Sequence, residues 1–179
     1  DAGSLQNSDT VSIQVVNQGF IPPVAVNDGP ATTLEDTPVV IALLANDTNS
    51  AGGLSASTVT VVAGPTHGTA AINPQTGAAT YTPTANYFGS DSFTYQVRDN
   101  NGTLSNTATV SVSVTAVNDP PVADAGPDQS VIEGSGATLD GSVSTDVEDA
   151  TLTYAWTQTG GQAVTLSSAT AVKPTFTAP

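Results

Sequence analysis

Cysteine and methionine are absent from the 179 residues of this chain, and basic residues are nearly absent. Without cysteine the chain can form no disulfide, no thiolate metal site and no cysteine nucleophile. Arg98 and Lys173 stand against 16 acidic residues, so the formal net charge is −14 at pH 7. A surface of this charge offers no basic patch to nucleic acid or to an anionic membrane, and it should attract divalent cations.

Long hydrophobic runs are also missing. No segment approaches the roughly 20 apolar residues of a membrane helix, so no membrane insertion is predicted. Charged residues make up only 10% of the chain, but 38% of it is hydrophobic, which is not the composition of a disordered protein. The 12 prolines and 16 glycines leave little room for helices of normal length.

Sequence patterns typical of β-strands occur between these prolines and glycines. Apolar residues alternate with polar ones in four segments, 11–15, 93–97, 110–114 and 152–156. Turn signals such as Asn101-Gly102 separate the segments. Period-two alternation of β-branched and aromatic residues is typical of half-buried strands, and many short strands with regular turns favour β-sandwiches. We therefore predict an all-β fold.

The chain contains an internal repeat with a period close to 98 residues. Leu34-Glu35 returns as Ile132-Glu133, 98 positions later. Two longer segments also return, the second with a slip of one residue: "IPPVAVNDG" at 21–29 as "DPPVADAG" at 119–126, and "DAGSLQNSDTVSIQVV" at 1–16 as "DNNGTLSNTATVSVSV" at 99–114. Such a period predicts tandem domains, each with its own core.

The repeat divides the chain into three unequal parts. Residues 1–20 are expected to be the closing strand of a preceding domain, 21–119 a complete sandwich, and 120–179 the opening strands of another. Two explanations for the third part stay open. The chain is a fragment, or the strand Thr10–Val16 of one copy fills the open sheet of the next, head to tail. Proline pairs in the linkers favour an extended, semi-rigid arrangement.

Several motifs between residues 34 and 123 resemble a known family. They are "LEDTPV" at 34–39, "LLANDT" at 43–48, "YTPTANYFGSDSFTYQV" at 81–97 and "VNDPPVA" at 117–123. Together they resemble the cadherin-like, immunoglobulin-type tandem repeats of large bacterial surface proteins and adhesins. The motifs "ADAGPDQ" at 123–129 and "STDVEDATLTYAW" at 144–156 resemble a PKD-like sandwich, and residues 1–20 resemble the end of another. The resemblance implies extracellular, non-catalytic spacers, often stiffened by Ca²⁺ at their junctions.

Calcium is the ligand that the acidic residues favour. Ca²⁺ takes six to eight oxygen ligands, and a sandwich brings its loops together at its two ends. From the residues alone, Asp28 in the entry linker and Asn118 in the exit linker are candidates. By resemblance, the ligands of the complete domain are expected at Glu35, Asp36, Asp47, Asp99 and Asp119. The alternative is that each is only a turn-forming residue, because Asp and Asn often bond their own backbone.

The resemblance implies a second set of ligands in the PKD-like part. Its loop supplies Asp146 and Glu148, and the linker supplies Asn118 and Asp119. Here glutamate stands where the family has a second aspartate. In the first domain, the loop after "LLANDT" reads "NSAGG" at 49–53, where further acidic residues are common in the family.

No arrangement of residues indicates catalysis or an organic cofactor. His67 is the sole histidine, so no Ser/His/Asp triad can be assigned, and we predict no enzyme. Trp156 is expected to be the buried tryptophan of a sandwich, with sugar stacking as the alternative. The leading hypothesis is a calcium-stiffened spacer or stalk of a bacterial cell-adhesion protein, with adjacent repeats as partners. The alternatives are a self-associating filament subunit and a carbohydrate-binding module of a secreted enzyme with a glycan or cell-surface target.

Overall fold

A computed structural model describes residues 21–49 and 52–179. Within these ranges the chain forms β-strands and one short 3-10 helix, Leu43–Ala45, and it contains no α-helix. The all-β prediction is confirmed. The predicted strand Thr10–Val16 and the predicted segment 1–20 lie outside the described residues.

Seven strands form two facing sheets between residues 28 and 115. They are β1 Asp28–Leu34, β2 Val39–Ile41, β3 Leu54–Ala63, β4 Gly68–Ile72, β5 Ala79–Pro83, β6 Gly89–Asp99 and β7 Ala108–Thr115. One sheet has the order β1-β7-β6-β3 and the other β2-β5-β4. The β1–β7 pair is parallel and every other pair in these two sheets is antiparallel. This is a sandwich of the immunoglobulin type.

The core lies between the two sheets. In β6, Phe93, Tyr95 and Val97 are buried, while the residues between them reach the surface. Tyr81 of β5 faces them from the other sheet and is 0% exposed. Each such side chain contributes roughly 1.5–3 kcal/mol by leaving water. The alternation visible in the sequence is therefore the pattern that closes this sandwich.

Strand pairing defines the two ends of the sandwich. Leu34 and Gly89 pair with Thr115 and Val114, so these residues share one end, which we call the exit end. Leu54 and Asp99 pair with each other at the opposite end, which we call the entry end. The linker to the next domain leaves from the exit end, directly after β7.

Residues 120–179 form a more open unit. The strands β8 Gly136–Thr138 and β9 Thr175–Thr177 pair in antiparallel fashion. Segment 152–156, predicted as a strand, keeps alternating exposure but pairs with no strand in the described part of the chain. Trp156 is half-buried rather than buried, and its indole N–H donates to the Ala171 carbonyl oxygen at 2.9 Å.

Replacing Gly29 by alanine should destabilise the first sandwich by about 2–4 kcal/mol. Gly29 has φ +99°, and a Cβ there would lie 2.4 Å from the Ser111 carbonyl oxygen of β7. Gly64→Ala is the control, because a Cβ at Gly64 meets nothing within 4 Å. Urea unfolding of both variants measures the difference, and equal losses would contradict the steric argument.

Candidate metal centre

Three acidic side chains meet at the exit end of the first sandwich. Glu35, Asp36 and Asp119 each offer a carboxylate oxygen, and these oxygens lie within 4.8 Å of one another. Glu35 is only 3% exposed. Its Oε1 accepts a hydrogen bond from the Val117 N–H, whereas its Oε2 is buried with no hydrogen-bond partner. We call these three residues the exit cluster.

The fold holds the exit cluster in place through β1 and its turn. The Glu35 N–H donates to the Thr115 carbonyl oxygen at 2.9 Å and so extends the β1–β7 pairing by one bond. Asp36 follows at φ 56°, in the left-handed region. Its Oδ1 accepts from the Asn86 N–H at 3.0 Å, which fixes the carboxylate at the turn. Aspartate tolerates this backbone conformation better than most residues do.

Glu148 of the second unit contacts the linker at the backbone of Asp119. Its Oε2 accepts a hydrogen bond from the Asp119 N–H at 2.9 Å, and its Oε1 is buried without a partner. Its own N–H donates to Asp146 Oδ1 at 3.0 Å, so Asp146 orients the loop that carries Glu148. The predicted junction residues Asp119, Asp146 and Glu148 are thus neighbours across the linker.

No basic side chain among the described residues compensates these carboxylates. The Arg98 guanidinium donates to the Gly102 carbonyl oxygen at the entry end, at 2.8 Å. Lys173 Nζ lies 2.6 Å from Asp140 Oδ2 in the second unit. Carboxylates this close repel one another when they share a weakly solvated site.

The exit cluster fits a hard divalent cation. Ca²⁺ binds carboxylate oxygens, and its shell is completed by carbonyl oxygens and water. The buried Glu35 Oε2 is a strong acceptor that has lost its water and has gained no donor. A bound cation would satisfy it, and the chemistry of the donor set is that of calcium rather than of zinc or copper.

Asp28 and Asp47 lie away from the exit cluster, around the hydroxyl of Tyr95. The Tyr95 hydroxyl oxygen is 2.9 Å from Asp47 Oδ1 and 2.9 Å from the Leu43 carbonyl oxygen. Asp47 Oδ1 also accepts from the Val26 N–H at 2.7 Å. Burial raises the pKa of both Asp28 and Asp47. The Asp47 carboxylate therefore already ties the entry linker to the core.

Asp99 and Asn118 behave largely as turn residues. Asp99 Oδ1 accepts from the N–H groups of Asn101 and Thr103 at 2.9 and 2.7 Å, as the turn-forming alternative predicts. Its Oδ2 is buried and unpartnered. The Asn118 amide donates to the Asp119 carbonyl oxygen at 3.0 Å. Of the nine predicted ligands, the structure gathers Glu35, Asp36 and Asp119 within ligand distance of one another. Glu148 is bonded to the backbone N–H of Asp119.

One functional-looking residue was not predicted. Asp91 in β6 is buried, and its carboxylate accepts from the Tyr81 hydroxyl and the His67 N–H, both at 2.9 Å. The N–H groups of Thr66 and Ser92 complete its set of donors. The signal in the sequence was an aspartate at an inward position of the alternation that ends in Phe93 and Tyr95. With four donors satisfied, Asp91 is a structural anchor.

Comparison with protein families decides the identity. A family model described as a bacterial immunoglobulin domain matches residues 17–113. The chain belongs to the bacterial immunoglobulin domain family. A second model, for a PKD domain, matches residues 125–179. The predicted resemblance to an immunoglobulin-like repeat followed by a PKD-like domain is therefore confirmed. A comparison with curated proteins finds no match.

Two solved structures show weaker likeness to this bacterial immunoglobulin and PKD pair. An endo-fucoidan hydrolase of glycoside hydrolase family 107 is 21% identical with a TM-score of 0.41, and the match covers 96% of this chain and 26% of the hydrolase chain. The titin domains z1z2 in complex with telethonin are 11% identical with a TM-score of 0.31, covering 89% and 82%.

Family membership gives the function in outline. Bacterial immunoglobulin and PKD domains are typically non-catalytic structural or binding modules, and they usually occur in extracellular or surface proteins. Among the described residues, no helix has the length and hydrophobicity needed to cross a bilayer. The tandem arrangement of these domains suggests interaction with adjacent domains of the same chain.

Proposed function

We propose that this chain is a non-catalytic, extracellular structural repeat whose junction between the immunoglobulin and PKD-like domains is stiffened by Ca²⁺. The observation that carries the proposal is the Glu35 side chain. It is 3% exposed, its Oε2 has no partner, and it lies beside Asp36 and Asp119. A buried unpaired carboxylate destabilises a fold unless something compensates it, and a divalent cation is the compensation that this donor set fits.

The exit cluster would couple the first sandwich to the linker, because Glu35 and Asp36 belong to the sandwich and Asp119 to the linker. Glu148 of the second unit extends this coupling, because its Oε2 accepts a hydrogen bond from the Asp119 N–H. Bound Ca²⁺ would supply positive charge and oxygen coordination at this point. Val117 and Asn86 hold two of the carboxylates in place through their N–H groups. Fixing the linker at this point would make the pair of domains a rigid spacer, as a stalk or surface filament requires.

Calcium should raise the melting temperature of the chain by about 10 °C relative to a chelator, at a concentration near 100 times Kd. The reason is linkage, since the folded junction binds the ion and the unfolded chain does not. Scanning calorimetry with Ca²⁺, with Mg²⁺ and with a chelator measures the shift. We expect a smaller effect from Mg²⁺, which keeps its own waters and demands a stricter geometry.

A matched pair of variants locates the effect. Asp119→Asn should lose most of the calcium shift, whereas Asp128→Asn, an exposed aspartate of the second unit, should keep it. A wild-type shift below about 1 °C would contradict the proposal, since saturation of a single site stabilises by several kcal/mol. Equal losses in the two variants would also contradict it, because they would mean that calcium acts on the overall negative charge.

A further inference from the structure

Strand β4 lies at the rim of the three-stranded sheet, and in the described part of the chain only β5 pairs with it. Two hydrogen bonds at its ends show which of its residues face β5. The Thr84 N–H donates to the His67 carbonyl oxygen, and the Asn73 N–H donates to that of Ala78, both at 2.8 Å. Because hydrogen-bonded residues alternate along an antiparallel ladder, every second residue from 67 to 73 bonds β5.

The residues in between turn their backbone groups away from β5. They are Gly68, Ala70 and Ile72, and no other described segment bonds their N–H and C=O groups. We call these outward groups the β4 edge. The side chains of Thr69 and Ala71 are exposed, and both are small, so they leave the β4 edge accessible to another strand.

The other rim strands of the first sandwich carry features that hinder pairing. Strand β1 contains Pro30 and a register shift, β3 contains two register shifts, and β2 has only three residues. Native sheets use prolines, bulges and short strands in this way to prevent association through their edges. Strand β4 keeps a continuous register with β5 and contains neither a proline nor a charged residue. It is therefore the rim strand of the described sandwich that is best suited to pair with another chain.

The distribution of charge favours a second copy of this chain as the partner. The net charge is −14, yet residues 48–90 contain no Asp, Glu, Lys or Arg. Two copies repel each other wherever their carboxylates approach, and this repulsion is smallest where both surfaces are uncharged. Strand β4 lies within this uncharged segment, so two copies can meet there at the lowest electrostatic cost.

We propose that two copies of this chain pair side by side through the β4 edge, in antiparallel register about a two-fold axis at Ala70. Gly68 of each copy would face Ile72 of the other, Ala70 would face Ala70, and each pair would exchange two hydrogen bonds. Thr69 would lie opposite Ala71 of the other copy. The contact uses the same surface on both copies, so it closes into a dimer.

The dimer contact is short. Strand β4 has five residues, which places the interface in the weak, transient size class, and we expect a Kd of about 0.1–1 mM. The interface goes beyond the calcium junction and does not depend on it, because no residue of β4 belongs to the exit cluster.

Amide hydrogen exchange measured by NMR tests the interface at single residues. In the monomer the N–H groups of Gly68, Ala70 and Ile72 face water and exchange quickly. Raising the concentration of the chain from about 0.05 mM to about 2 mM should slow their exchange at least about twofold, because exchange then requires dissociation. The N–H groups of Thr69 and Ala71 already bond β5, so their exchange should not change.

Cysteine pairing tests the register. The chain has no cysteine of its own. In the proposed dimer the Cα atoms of Thr69 and Ala71 from different copies lie about 4.5 Å apart, within the range that a disulfide spans. A mixture of the Thr69→Cys and Ala71→Cys proteins should therefore form a mixed disulfide under mild oxidation. Thr69→Cys alone is the control, because two copies of residue 69 are diagonal neighbours about 7–8 Å apart.

Ala70→Pro should remove the concentration dependence at Gly68 and Ile72, because proline has no N–H to donate across the interface. A rim strand accepts proline where the N–H faces solvent, so the bonds of residues 69 and 71 to β5 should remain and their slow exchange reports the fold. Ala70→Ser is the matched control. It keeps the N–H and should keep the slowing seen in the wild type.

Three results would overturn the interface. One is exchange at the β4 edge that stays unchanged up to about 2 mM. Another is association without slower exchange at these groups, which would place the contact on a different surface. The third is linkage of Thr69→Cys alone as fast as that of the mixture. All measurements are made with Ca²⁺ and with a chelator and should agree, so a failure of the calcium proposal is separate from a failure of this one.

Discussion

Replacing Asp91 by asparagine is expected to lower the free energy of unfolding of the immunoglobulin domain by about 2–4 kcal/mol. Both oxygens of this carboxylate are used, because Oδ1 accepts from Thr66 and Ser92 and Oδ2 from His67 and Tyr81. Asparagine has one acceptor oxygen, so its amide nitrogen would face two of the four donors. Those donors would then lose the acceptor that they have in the wild type, and urea unfolding at neutral pH measures the loss.

The Asp91 effect should also depend on pH. Burial raises the pKa of Asp91, but the hydrogen bonds from Tyr81 and the backbone outweigh it and hold the pKa below 3.8. A carboxyl with a lowered folded pKa stabilises the fold above its unfolded pKa and loses that contribution as pH falls through the folded pKa. The gap between wild type and Asp91→Asn should therefore be constant from pH 7 to about 4 and shrink below that.

Ser92→Ala is the control for Asp91→Asn. Ser92 is exposed and adjacent in the strand, and its backbone N–H still donates to Asp91 after the side chain is shortened. We expect a change within about 0.5 kcal/mol. A gap between wild type and Asp91→Asn that widened below pH 4 would contradict the assignment of Asp91 as a charged anchor.

The sandwich could be predicted because the apolar residues of its core alternate with polar residues along the sequence. Phe93, Tyr95 and Val97 are buried in β6, in phase with the apolar residues of the sequence. Periodicity reports which side chains face inward, and that is enough for fold class. The same reasoning missed the role of Asp91, because one inward carboxylate in an alternating strand looks like a surface residue until its donors are known.

Segment 152–156 shows the limit of periodicity. It has the alternation of a strand, and Leu152, Tyr154 and Trp156 are half-buried as expected. The Trp156 N–H donates to the Ala169 carbonyl oxygen at 2.8 Å, but no strand of the described chain pairs with this segment along its length. The sequence pattern specifies one face of a strand, whereas pairing depends on what lies beside it.

The candidate ligands were harder to group than to find. Glu35 directly follows β1 and Asp99 ends β6, yet they lie at opposite ends of the sandwich. The reason is strand direction, because β1 and β7 run parallel and β6 runs against both. The sequence could indicate that acidic loops gather at the ends of the domains. Only the strand topology of the sandwich shows which of these loops share an end.

Glu35→Gln should change stability in opposite directions with and without calcium. In a chelator, the variant should be more stable than wild type by about 1–3 kcal/mol, because it removes a buried, unpaired negative charge and gives Asp36 and Asp119 an amide donor. With Ca²⁺ present, the variant should bind about 10- to 100-fold more weakly and lose most of the calcium stabilisation. Titration calorimetry and thermal melts measure both effects.

Glu133→Gln is the matched control, because Glu133 is the repeat counterpart of Glu35 but is exposed and outside the exit cluster. Both variants remove one negative charge, so a general relief of repulsion would raise their stabilities equally in a chelator. Only a site at Glu35 produces a gain without calcium together with a loss with it. A neutral amide relieves repulsion but coordinates a hard cation poorly. A variant that is more stable than wild type without calcium and less stable with it therefore distinguishes a metal site from a strained acidic turn. Glu35→Gln stability that is lower than wild type in both conditions would assign the Glu35 carboxylate to the fold alone.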